Sequence, residues 1–116
     1  MTIRRLKTYA GSQGYVYQYY FVGKRPAAGA NATEYIFDVT SDRQLTYAVT
    51  VVLSHETVAA WAQNHGRSLS DPEQYAAVKL RLFRAFDEFE DMQSQGRLLE
   101  IDLRALKESL ASLGVE

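Results

Sequence analysis

The chain has 116 residues, no cysteine, two prolines and a formal net charge of −1, with 47% hydrophobic and 23% charged residues. Those values fit one soluble globular domain and exclude a disulfide framework, a thiolate zinc site, a thiol nucleophile and a disordered chain. No apolar run approaches the roughly 18 residues of a membrane span, and Met1-Thr2-Ile3-Arg4-Arg5 has no apolar stretch behind it, so neither a membrane partner nor a signal peptide is read and a cytoplasmic location is expected.

Ile3 to Tyr9 reads as a first strand, whose Arg4, Arg5 and Lys7 suit an edge, where charge blocks edge-to-edge association. After the turn Ala10-Gly11-Ser12-Gln13, the run between Gly14 and Gly23 is aromatic and β-branched, a strand signal. Tyr15, Tyr17, Tyr19 and Phe21 share one of its faces; Val16, Gln18, Tyr20 and Val22 share the other. Arg25 to Ala32 is loop by composition. In the third strand Tyr35, Phe37 and Val39 alternate with Ile36, Asp38 and Thr40; Ser41-Asp42-Arg43 makes the next turn. The fourth strand sets Tyr47, Val49, Val51 and Leu53 against Thr46, Ala48, Thr50 and Val52. Short connections make neighbouring antiparallel strands the default.

The period then changes to that of helices. Ser54 sits where an N-cap belongs, Val58, Trp61, Ala62 and His65 form a stripe, and Gly66 is placed to end it. Ser70-Asp71-Pro72-Glu73 starts a second helix, with either Asp71 as cap or Ser70 and Glu73 as a capping box. Tyr75, Val78, Leu82, Phe86 and Phe89 carry that helix to about Met92. The last segment has two readings. Leu99, Leu103, Leu106, Leu110 and Leu113 form a continuous helical stripe before Gly114, which is the preferred one; alternatively, 97–101 is a short strand and Asp102 caps a shorter helix.

The expected fold is α+β: a four-stranded antiparallel β meander over 1–53, followed over 54–116 by two or three α-helices packed on one face of the sheet, all in one domain over 1–116. The covered face should carry Tyr17, Tyr19, Phe21, Phe37, Tyr47, Val49 and Val51. The other face holds Val16, Tyr20, Ile36 and Val52, too apolar to be plain solvent surface, so these are the candidate partner-binding residues. A second copy of the chain or another protein could cover them, or the C-terminal helix could wrap over them.

The near-neutral total conceals an asymmetry. The first 33 residues hold five bases and no acid; the remaining 83 hold 14 acids and 8 bases. Arg4, Arg5, Lys7, Lys24 and Arg25 beside a Tyr-rich strand are the candidates for the alternative function, single-stranded nucleic-acid binding, since bases grip phosphates and aromatic faces stack on unpaired bases. The acidic run Asp87, Glu88, Glu90 and Asp91 opposes its own helix dipole and could instead dock those bases. Histidines ten residues apart, His55 and His65, lie about 15 Å apart on a helix, too far for one metal ion. No phosphate loop, nucleophile elbow or paired-His motif is present, so no catalytic residue, metal or cofactor is assigned. A small enzyme with its site between sheet and helices, around Trp61 and His65, is the third reading; a non-catalytic protein-interaction module, forming a homodimer through the open sheet face, is the first.

Overall fold

The computed structural model of the chain describes residues 6–29 and 31–115. Strands β1 (Lys7–Ala10), β2 (Val16–Pro26), β3 (Ala32–Thr40) and β4 (Tyr47–Ser54) form the antiparallel meander in sequence order. Helices α1 (His55–His65), α2 (Asp71–Glu88) and the short α3 (Met92–Gln95) follow, then β5 (Leu98–Glu100) and α4 (Leu103–Ser112). Strand β5 joins the sheet beside β4, and parallel to it, giving the order β1-β2-β3-β4-β5.

The α+β class is as expected, but the sheet has five strands and the described residues hold four helices. The preferred continuous helix over the last segment is therefore corrected. Leu99 is a buried strand residue paired with Val51, and the Asp102 side chain accepts from the Ala105 N–H at 2.8 Å to start α4. Leu99 falls four residues before Leu103, so a strand residue happens to continue the helical stripe. Helix α2 also stops earlier than Met92. Phe89 is extended (φ −96°, ψ 126°), and Asp91 then caps α3 through the Ser94 N–H at 3.2 Å.

Local chemistry explains the other boundaries. The Ser54 hydroxyl accepts from the Thr57 N–H at 3.0 Å, and Gly66 closes α1 in the left-handed conformation (φ 70°). Ser70 and Glu73 form a reciprocal capping box at the start of α2. Arg67 grips both Glu73 oxygens, at 3.0 and 2.9 Å, while its guanidinium lies 5.2 Å from the Trp61 ring, so one side chain ties the end of α1 to the start of α2. Asp42 accepts from the Gln44 and Leu45 N–H groups, both at 2.9 Å, and these bonds hold its carboxyl below the usual range.

Strand alternation separates two faces. Tyr17, Tyr19, Phe37, Tyr47, Val49 and Val51 are buried against the helices, whereas Phe21, expected among them, is 38% exposed although its ring lies 4.9 Å from that of Tyr75. Helix α4 packs against α1 and α2, and its Leu106 and Leu110 enter the same core. Aromatic rings fill the centre: Tyr17 stacks on Phe86 at 4.2 Å and Tyr9 on Phe83 at 4.6 Å. Burial pushes the phenols of Tyr17, Tyr19, Tyr35 and Tyr47 above their ordinary value.

Candidate functional site

The second face of the sheet has no helix on it among the described residues. Its side chains follow from the register. One row runs Gly23, Ile36, Thr50, Leu98; the next runs Arg25, Glu34, Val52, Glu100. A bulge between Phe21 and Gly23 inserts Val22 at the β2 end of the first row. Leu98 is 66% exposed, Val16 51% and Val22 45%. Arg25 Nε donates to Glu34 Oε1 at 2.8 Å. The Tyr20 hydroxyl donates to Asp38 Oδ2.

Of the four residues singled out from the sequence, Tyr20, Ile36 and Val52 share this face as neighbours on adjoining strands; Tyr20 pairs with Asp38, and Val52 is diagonal to Ile36. Val16 lies on the same face at a separate corner, opposite Ala10 on β1. Helix α4 lies on the covered side, so it does not wrap over the patch. Leu98 is the most exposed large apolar residue of the face and was missed, because 97–101 read as helix; the capping Asp102 was the signal that could have found it.

The described basic residues, Lys7, Lys24 and Arg25, do not converge. Arg4 and Arg5 lie outside the described residues. Lys7 pairs in register with Tyr19, whereas Lys24 is five residues farther along β2, a separation of about 17 Å on an extended strand. Lys24 Nζ stands 3.8 Å from Asp71 Oδ2, and Arg25 turns to the other face to meet Glu34. Most of the neighbouring tyrosines are core: Tyr17, Tyr19, Tyr35 and Tyr47 are buried. Among the described residues, Lys24 and Arg25 do not dock on the acidic run. Asp87 instead receives the Tyr9 hydroxyl at 2.8 Å and the Ser12 N–H at 2.9 Å, pinning the β1–β2 turn to α2. Glu88 pairs with Arg84 at 2.6 Å.

Trp61 and His65 do not line an opening. Trp61 is wholly buried, the His65 ring stacks on it at 4.0 Å, and His65 Nδ1 lies 2.8 Å from the Trp61 carbonyl oxygen. The seam opens farther toward the start of α1, as a cleft of about 540 Å³ lined by Lys24, Tyr35, His55, Val58 and Ala62 among others. There His55 Nε2 and Thr33 Oγ1 are 3.2 Å apart, joining α1 to β3. Among the described residues no group of three or more His, Cys, Asp or Glu is placed to hold a metal ion. No helix of the described chain is long and apolar enough to cross a membrane.

No match was found to any protein-family model, curated protein or solved structure.

Proposed function

We propose that this chain is a non-catalytic protein-interaction module whose partner is a second copy of itself, held through the open sheet face. The observation that carries this reading is the row of exposed Val22 and Leu98 flanking half-buried Ile36, beside a row with Arg25 at its β2 end and Glu100 at its β5 end. Two sheets stacked face to face lie about 10 Å apart. A two-fold axis parallel to the strands, between β3 and β4, sets β2 of one copy over β5 of the other. Val22 then meets Leu98 and Arg25 meets Glu100, twice by symmetry. The charges at opposite ends of one row make that row complementary to itself.

Size sets the strength. Four strands about 4.8 Å apart and about six residues long give a footprint on the order of 400 Å² per copy. That is below the roughly 800 Å² per partner of a standard stable interface. The association is therefore reversible and concentration-dependent, with the polar members of both rows remaining compatible with the free monomer. The proposed setting is the cytoplasm, as a chain without cysteine needs no oxidising compartment.

Sedimentation velocity across micromolar to millimolar concentration tests the pairing. A monomer–dimer equilibrium is expected, abolished by Leu98→Asp and weakened by Arg25→Glu. The charge exchange Arg25→Glu with Glu100→Arg, made in a Glu34→Gln background because Glu34 faces Arg25 within the chain, should restore it. A monomer at every concentration ends the proposal, and so does an exchanged variant no better than Arg25→Glu in that background. Adding a single-stranded oligonucleotide at low salt separates the alternative. Binding that falls steeply with salt would move the function to Lys7, Lys24 and their neighbours.

A further inference from the structure

The cleft at the start of α1 lies on the helix side of the sheet and shares Arg25 of its rim with the open face. We propose that it binds a small amphipathic carboxylate, with the apolar body along α1 and the carboxylate at Lys24. Its volume of about 540 Å³ falls within the range of small-molecule sites, roughly 300–1,000 Å³. Val58, Ala59 and Ala62 supply one wall. They lie at helical spacing, and the two alanines leave a concavity where longer side chains would close the seam. The buried Tyr35 adds an aromatic surface, its phenol pushed above the ordinary value first by burial and then by the charge of Asp71.

The sign of the ligand follows from the rim. Lys24, His55 and Asp71 all line the cleft, with Lys24 and Asp71 next to each other. Arg25 is occupied by Glu34 at 2.8 Å, but Lys24 is held loosely, 3.8 Å from an Asp71 side chain that is 80% exposed. An exposed pair of that length contributes little and exchanges readily for a better anion. His55 and Asp71 are the first residues of α1 and α2, so both helices open onto the cleft at the positive ends of their dipoles. A carboxylate replacing Asp71 at Lys24 would gain a closer ammonium contact and shelter from water on the apolar wall. An amine would meet Lys24 instead.

Titrating the protein with decanoate, decanol and decylamine, each below its aggregation threshold, tests the proposal by amide chemical shifts. Decanoate is expected to move Thr33, His55, Ala59 and Ala62 saturably. Lys24→Met should weaken decanoate about tenfold, one charged contact's worth, and leave decanol unchanged. Ala59→Phe, at an exposed position that fills the cleft, should abolish the saturable shifts; if that variant loses native dispersion, Lys24→Met carries the test. Absence of saturable shifts, equal binding of decylamine, equal affinity of Lys24→Met, or shifts confined to Val22 and Leu98 would each overturn it. None of these outcomes depends on whether the chain dimerises.

Discussion

Phe37 and Ile36 are adjacent in β3 and occupy opposite environments. Phe37 is sealed among rings, with Phe21 at 5.4 Å, Tyr75 at 6.3 Å and Tyr19 at 6.4 Å. Ile36 lies across from Thr50 on the face that no described helix covers. The same strands thus serve two purposes. One face is specified by shape, since rings stacked at 4 to 5 Å tolerate few rearrangements. The other is specified by a sparse pattern of aliphatic side chains and charges, and that pattern is cheap for a monomer to change.

Substitutions on the two faces should therefore differ sharply. Phe86→Ala removes a fully buried ring stacked on Tyr17 and is expected to cost about 3–5 kcal/mol. Ile36→Ala should cost the monomer under about 1 kcal/mol. Urea unfolding at a concentration where the protein is monomeric measures both; comparable losses would break the distinction.

Next in size is the pin between the β1–β2 turn and α2. Asp87→Ala leaves the Tyr9 hydroxyl and the Ser12 N–H without their acceptor. A loss of about 1–3 kcal/mol is expected, with amide exchange accelerating first in β1. Uniform acceleration across the sheet would show that the turn is not a separate unit.

A smaller effect is expected at the start of α2, where Ser70→Ala should cost about 1 kcal/mol. The same cap has a pH signature. The Arg67 hydrogen bond, followed by the Ser70 N–H, holds the Glu73 carboxyl at about 2, below its ordinary 4.5. A pKa lowered in the folded state stabilises above the unfolded value and loses that contribution as pH falls toward the folded one. Wild type and Glu73→Gln should thus differ above pH 4.5 and converge near pH 2. Thermal melts across that window check the sign.

Smallest of all is Leu98→Ser, within about 0.5 kcal/mol for the monomer, although the same residue meets Val22 of the other copy in the proposed pairing. A large monomer effect would place Leu98 in the core economy of the fold after all.

Much of this was readable in the residues. The β-branched and aromatic alternation located the covered face, because a strand facing helices on one side cannot hide its period. Ser54, Gly66 and the Ser70–Glu73 box marked helix ends, since each satisfies backbone groups locally. What escaped was non-local. Strand β5 has three residues and exists only because β4 offers it a parallel edge, a partner 48 positions away. The early end of α2 depends on Phe89 turning out of the helix while its Phe86 stays buried. Among the candidate residues, Tyr20, Ile36 and Val52 were legible from the period alone; Leu98 was not, because its strand needs the crossover from β4 through three helices to β5, and the cleft was not, because it needs α1 and the start of α2 packed beside β2 and β3.

The Asp87 pin also has a consequence in time. Tyr9 and Ser12 wait for an acceptor 78 and 75 residues downstream. At about 5–20 residues per second of synthesis, that is an interval of about 4–15 s. A two-stranded hairpin is marginal in water by itself. On the ribosome, β1 is therefore made before the other strands of this sheet and is among the last to be secured, and a pause before residue 87 would prolong the life of an open sheet edge.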